Sequence, residues 1–396
     1  MKLEEVVEDR EKSIESKEEK SFSKFLDMIP TDLIHEILLR LPAKSAGRFR
    51  CVSKLWSSIT TRPDFISSFG SRSSTQLCLL VCVRTSKKCR IFNSIPQHDH
   101  PDRTSNPHVR ESYEIVAPKF YHYHGSESVN GLICLGAFSV NIIVWNPTIR
   151  QHVKLPQPSE RLFVCNFLGY DPVEDKYKVL CISICRYQDP LVFTLGPRET
   201  WRVCGNSLKH VSTGTLRGKS ICINGHVYYE AILRVDGTFK TEEYRMSFDV
   251  RYEEFNIIRK PAEAALLKFF FNYNGKVAWL CSDFSYIRFW VLEDKEKQEW
   301  SQRRFIRPFP GLVDPNVYLR LRGFTHDTCE FIYTETTSKA IYVLYYDPKR
   351  NRIRRVKYEG VQDEEEDFLK NNIEEYIHYY PNHCESLVSL EFGGRS

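Results

Sequence analysis

Apolar positions along this chain change their period once. Between Ile29 and Phe69 they recur with helical spacing, and Ile29, Leu33, Ile34, Ile37, Leu38 and Leu41 fall on one face, the 3.6-residue repeat of an amphipathic helix. From Thr75 onward short apolar runs take over: LCLLVCV, NIIVW, YKVLCIS, KVAWL and AIYVLYY, each bounded by Gly, Pro, Asn or Asp. Such runs, with no long amphipathic helix between them, read as strands of an all-β sandwich, barrel or propeller.

Local signals divide the helical stretch further. Pro30 suits a first helical turn, Asp32 complements the positive helix end, and Pro42 stops the helix. A second helix is expected from Lys44 towards Val52. Ser53 is placed to cap a third, which carries Leu55, Trp56 and Ile59. Pro63 ends that helix, and Phe65 and Phe69 continue the apolar thread. Three short helices enclose a very small core by area scaling, yet this stretch carries Leu, Ile, Val and Trp on more than one side. It therefore needs a partner or a docking site on the rest of the chain. The plainer alternative is that Leu33, Ile37, Leu41 and Trp56 only pack together or onto the β region.

Two motifs recur in the strand region. Asn-Gly precedes an apolar strand at Asn130-Gly131, Asn224-Gly225 and Asn274-Gly275, and supplies the pair of positive φ angles a tight hairpin demands. Elsewhere a strand ends in an aromatic residue and Asn or Asp, turns, and starts again: VWNPTIRQHVKLP, GYDPVEDKYKVL, SFDVRYEEFNIIRKP and YYDPKRNRIRRVKYEG. In the last three, Tyr170 precedes Tyr177, Phe248 precedes Phe255 and Tyr346 precedes Ile353 by seven residues. Each reads as a hairpin. The Asn-Gly intervals are 94 and 50, so a unit of roughly 50 residues repeats, the length of a kelch-like propeller blade. That spacing predicts a propeller of about six blades, with a pair of β-sandwiches as the alternative. Tyr170-Asp171 falls out of phase with a strict period.

Composition agrees with a strand-rich fold: 25 Phe, 21 Tyr and 6 Trp against 3 Met favour pleated surfaces. The net charge of +5 is small beside 56 basic and 51 acidic residues and implies no polyanionic partner. Thirteen Cys occur without any C-x-x-C pair, which points to reduced thiols and an intracellular protein. Residues 1–22 form a charged leader, expected to be disordered, without the apolar core of a signal peptide. No later run approaches membrane-spanning length, so a soluble protein of the nucleus or cytoplasm is expected. Near the other end, DEEED precedes a short helical pattern and the aromatic HYYPNH. LVSLEF is the candidate for a last strand that closes a ring against the first.

Candidate chemistry is thin. His98, His100, His108, His122 and His124 cluster in a Pro-rich stretch, but no Cys or carboxylate set joins them at structural-zinc spacing. Cys78 and Cys82, like Cys181 and Cys185, are four apart and would share a strand face in the core. Phosphate loops and the commoner hydrolase and metalloprotease signatures are absent from the sequence. Glu253-Glu254 falls in an expected solvated turn. The basic run Lys349, Arg350, Arg352, Arg354, Arg355 and Lys357 reads as a charged edge strand that blocks edge-to-edge pairing, rather than as a nucleic-acid surface. No cofactor, metal or catalytic set is expected.

The helical stretch resembles the F-box in its plant style, from an Ile-Pro start through DLIHEILLRLP and KS to RFRCVSKLW. It departs at Ala46-Gly47, where a bulkier apolar pair is usual. The following region is similar to the plant type-3 F-box-associated domain: NGLICL, VWNPTIRQ, LGYDPVEDKYKVL, FDVRYEEF and FWVLEDKEKQEW appear in that family's order. These resemblances imply an F-box module at 23–69 and a propeller-like domain at 75–396. They also imply a substrate-recognition subunit of a Skp–cullin–F-box ubiquitin ligase that is not itself an enzyme. Ile29, Pro30, Leu33, Ile37, Leu38, Leu41, Pro42, Val52 and Trp56 match the apolar positions that dock on the Skp-family adaptor, and through it on a cullin–RING ligase. The β domain would then recruit a target protein. The alternatives are an F-box protein whose β domain binds a small molecule or glycan, or an enzyme on a propeller scaffold.

Overall fold

The computed structural model describes residues 29–84, 88–92, 108–109, 112–116, 127–136, 141–158, 164–205, 208–213, 220–234, 241–261, 270–282, 286–306, 319–326, 328–336, 341–358 and 377–391. The charged leader, the DEEED segment with its helical pattern, and His98, His100, His122 and His124 lie outside these residues, and His108 is described by its backbone alone. The chain forms two compact units. One contains the helical stretch to Thr75 together with Glu385–Val388; the other contains Gln76–Cys384 and Ser389–Ser396.

Among the described residues, four helices build the first unit: α1 (Thr31–Arg40), α2 (Ala43–Phe49), α3 (Lys54–Thr61) and α4 (Pro63–Ser73). Ser53 caps α3 as its sequence implies, its Oγ accepting the Trp56 N–H at 3.2 Å. Pro63 does end α3, but it also starts a fourth helix, which the reading of three helices overlooked. At N1 its missing N–H costs nothing, and Asp64 occupies the first turn. Phe65 and Phe69 of α4 are both buried, with ring centroids 6.3 Å apart. The edge of His35 meets Phe65 at 5.1 Å, and Phe49 packs on Trp56 at 4.9 Å. The second helix ends at Phe49 rather than near Val52.

In the second unit the strands are β1 (Cys78–Arg84), β2 (Lys88–Phe92), β3 (His108–Val109), β4 (Ser112–Val116), β5 (Ile133–Leu135), β6 (Ile143–Asn146) and β7 (Gln151–Lys154). There follow β8 (Val164–Asp171), β9 (Lys176–Ser183), β10 (Leu191–Thr194), β11 (Arg202–Val203), β12 (Val211–Ser212), β13 (Ile221–Ile223), β14 (His226–Arg234), β15 (Thr241–Asp249) and β16 (Phe255–Ile258). The last are β17 (Phe270–Tyr273), β18 (Lys276–Ser282), β19 (Tyr286–Asp294), β20 (Glu299–Ile306), β21 (Arg320–Phe324), β22 (Phe331–Thr336), β23 (Ile341–Asp347), β24 (Arg352–Tyr358) and β25 (Ile377–His383).

These strands form six sheets: β25-β1-β2-β4, β5-β6-β7, β8 to β11, β12 to β16, β17 to β20, and β21 to β24 with β3. Five carry four or five strands and one carries three. Apolar seams join each sheet to the next. Leu80 and Tyr380 meet Ile133 and Trp145. Phe167 and Val192 meet Tyr229 and Phe248. Tyr228 and Ile258 meet Phe270 and Trp279, and Phe289 meets Phe324 and Phe331. Ile332 and Tyr345 meet Val81 and Tyr379, returning to the first sheet. Across the remaining seam the Asn166 side-chain amide donates to the Gly136 carbonyl, and the Tyr177 hydroxyl to that of Asn130, each at 3.0 Å. Six seams between six sheets make a closed ring, a β-propeller.

The ring closes where β25 pairs antiparallel with β1, Cys78 opposite His383. The closing strand is therefore IHYYPNH and not LVSLEF, whose described residues are without strand structure. Pro381 and the left-handed Asn382 (φ 56°) coincide with a register shift between Cys78 and Leu80, where a bulge tolerates both.

The recurring turn motif has one structural cause. Asn146, Asp171, Asp249, Asp294 and Asp347 each end a strand and accept backbone N–H groups ahead of them through Oδ1, at 2.8 to 3.0 Å to the residue two on. Four residues later the chain turns left-handed, at Arg150, Asp175, Glu253, Gln298 and Asn351, with φ between 48° and 60°. The side chain thus supplies the turn's hydrogen bonds before the reversal. Tyr170 opposes Tyr177, Phe248 opposes Phe255 and Tyr346 opposes Ile353 directly.

Candidate partner-docking surface

Helix α1 has more apolar surface than its own unit covers. Ile34 and Leu38, four apart, are fully buried against the other helices, a pair that contributes roughly 1.5–3 kcal/mol per side chain by area. Leu33 and Ile37 are also four apart but lie on the adjacent face, 55% and 46% exposed. Val52, after α2, is 42% exposed. Scattered exposed apolar residues are ordinary, whereas two large aliphatics stacked on one helix face are informative. Pro30 and Pro42, at either end of α1, are exposed, and Ile29 and Leu41 are half-buried.

The nine residues matched to the docking positions thus fall into two groups. Ile29, Pro30, Leu33, Ile37, Leu41, Pro42 and Val52 reach the surface of the unit. Leu38 and Trp56 lie inside it, where they hold the helices that present the others. Ala46 is fully buried, while a Cβ on Gly47 would meet nothing within 4 Å. Small residues in α2 therefore match close packing at Ala46 and leave open space at Gly47. Arg50 donates to the Thr60 carbonyl at 3.1 Å, and its partial burial lowers the guanidinium pKa.

Sequence reasoning missed one residue here altogether. Glu385 accepts the Ala43 N–H through Oε2 at 2.7 Å across 342 positions. No local pattern marks an acid so distant in sequence.

In the β unit, several of the charged candidates are paired. Glu253 is not solvated: its carboxylate bonds Lys178 Nζ at 2.8 Å and the Arg202 guanidinium, with only 12% of its side chain exposed. Burial alone would raise its pKa, but Arg202 and Lys178 together hold it below the usual carboxylate range. The basic strand β24 is not an edge either, because β3 pairs with it in parallel. Arg355 bonds Glu335 at 2.7 Å and covers the Tyr342 ring, and Arg354 sits over Tyr345. Cys82 and Cys181 are buried in the core, but Cys185 lies beyond the end of β9 and is exposed. Among the described residues, no group of three or more His, Cys, Asp or Glu is placed to hold a metal ion. No described helix is long and apolar enough to cross a membrane.

Comparison with known families decides what the helical unit and the ring have in common. The F-box domain matches residues 26–68, and the F-box associated beta propeller domain matches residues 78–384. This chain is a plant F-box protein of the type-3 associated-domain family. It is 54% identical over 95% of its length to "Putative F-box protein At4g21240" of Arabidopsis thaliana, of which 93% is covered. It is 40% identical over 96% of its length to "Putative F-box protein At1g47790" of the same plant, of which 97% is covered. Among solved structures, TolB from Acinetobacter baumannii aligns over 77% of this chain and 70% of that one, at 7% identity and a TM-score of 0.40, too distant to add to the fold. F-box proteins carrying a β-propeller are in general adaptors, and membership accounts for both units at once.

Proposed function

We propose that this F-box protein is the substrate receptor of a Skp–cullin–F-box ubiquitin ligase. The observation that carries the reading is the exposed aliphatic face of α1, Leu33 and Ile37, within a domain of the F-box family. An aliphatic cluster of this kind supplies the desolvated centre that dominates a protein interface. Pro30, Pro42, Ile29 and Leu41 border it. Leu38 and Trp56 act from behind, by fixing the helices.

In this reading the propeller recruits a target protein, and the adaptor links it to the cullin–RING machinery, where ubiquitin transfer takes place. The chain contributes no catalytic group. Its effect is proximity: a bound target sees the charged conjugating enzyme at a raised effective concentration. Localisation in the nucleus or cytoplasm follows from such partners.

Co-expression with a plant Skp-family adaptor tests the first step. The full chain should co-purify with the adaptor through size exclusion, and Leu33→Asp should not. Equal co-purification of the two would overturn the assignment.

A further inference from the structure

We propose that Glu385–Val388, at the far end of the chain, is an integral part of the docking module, with Glu385 as the residue that holds α2 in place. Its consequence for docking rests on the function proposed above, whereas the placement of Glu385 at α2 does not. Helix α2 is weak by itself. It has seven residues, a mid-helix Gly47, no acid in its first turn, and Pro42 as N-cap with no side-chain acceptor. A helix this short barely exceeds its own nucleation cost, and its first N–H groups have no partner within the helix.

Glu385 supplies what Pro42 cannot. Its carboxylate accepts the Ala43 N–H at 2.7 Å, the short distance of a charge-assisted bond, and it places negative charge at the helix start. Burial pushes the carboxyl pKa up, and the bond from Ala43 opposes that. The segment also brings apolar surface to the helical unit: Leu387 is buried and Ser386 nearly so.

The chain on either side of the segment is anchored. Cys78 Sγ donates to the His383 carbonyl at 3.0 Å before it. After it, the Leu390 N–H donates to Gln151 Oε1 at 2.9 Å. Because Leu41 and Pro42 connect α1 to α2, loosening α2 disturbs the border of the Leu33 and Ile37 face. Glu385 is then a positioning residue for docking, although it lies outside the F-box sequence.

Amide hydrogen exchange on the full chain tests this, comparing the parent with Glu385→Ala and Glu385→Gln. Loss of a helix cap should speed exchange of the α2 amides by about tenfold in Glu385→Ala, and by less in Glu385→Gln, which keeps an acceptor oxygen. Exchange in β14 and β15 should not change, which separates local loosening from unfolding. Affinity for the Skp-family adaptor should fall in the same order. Unchanged α2 exchange in Glu385→Ala would overturn the proposal. Faster α2 exchange with adaptor affinity untouched would remove its functional half. Failure of the docking reading would appear separately, as adaptor binding that ignores Leu33→Asp.

Discussion

Leu33 and Ile34 are neighbours in sequence, yet Leu33 is 55% exposed and Ile34 is fully buried. One helix thus carries two apolar stripes, about 100° apart in the α-helical geometry. The inner stripe, Ile34 and Leu38, builds the unit; the outer, Leu33 and Ile37, stays exposed. The two stripes answer differently to mutation.

Substitutions inside should act through stability. Leu38→Ala is expected to cost about 2–5 kcal/mol and Trp56→Ala about 3–5 kcal/mol, seen as loss of helical signal at lower temperature than the parent. Adaptor binding should fall in these variants only as far as the folded fraction falls.

Gly47→Ala should have the opposite effect. Open space surrounds the position, and the replacement improves helix propensity by up to about 1 kcal/mol. Slower amide exchange across α2 would register the gain. A destabilised variant would mean that the glycine is there for contact with something else.

Close approach of two sheets makes a sharper test in the ring. A Cβ on Gly169 of β8 would lie 2.5 Å from a Val250 methyl and 2.8 Å from one of Val227, so Gly169→Ala should lower the melting temperature of the propeller. Val250→Ala makes room at the nearer contact. The double variant should therefore be more stable than the sum of the two single changes, a coupling measurable in a double-mutant cycle.

His383, where the ring closes, sets a pH dependence. Burial lowers its pKa to about 4, and its Nδ1 lies 2.8 Å from Ser128 Oγ. Unfolded, the imidazole titrates near 6.5. Between these values the unfolded chain binds more protons than the folded one, so stability is full above about pH 6.5 and falls as pH drops towards 4. The difference is on the order of 3 kcal/mol. Denaturant unfolding of His383→Asn at pH 7 and pH 5 should show a smaller difference than the parent does.

Much of this architecture was legible because its turns are made by side chains. Asp249 and Asp347 announce hairpins locally, and register follows, with Phe248 opposite Phe255. The phase slip at Tyr170-Asp171 has a physical reason: that turn joins the first two strands of its sheet, β8 and β9, whereas Asp249 and Asp347 join the last two of theirs. What failed was long-range. Pro381 and Asn382, which sit in a bulge, interrupt the strand pattern of IHYYPNH, and LVSLEF reads as a strand although its Leu387 is buried and belongs to the helical unit. Glu253 read as a solvated turn acid because Lys178 and Arg202, its partners, are far away in sequence. The F-box resemblance supplies the expected docking positions, but only packing separates the exposed Leu33 from the buried Leu38.

The most direct test is the affinity of the full chain for a Skp-family adaptor, measured by calorimetry for the parent and for the Leu33→Asp, Ile37→Asp double variant. Both positions are exposed, so the melting temperature should stay within a few degrees of the parent. Burying two unpaired carboxylates in an interface centre should weaken binding by at least about a hundredfold. Undiminished affinity in a folded double variant would contradict the account.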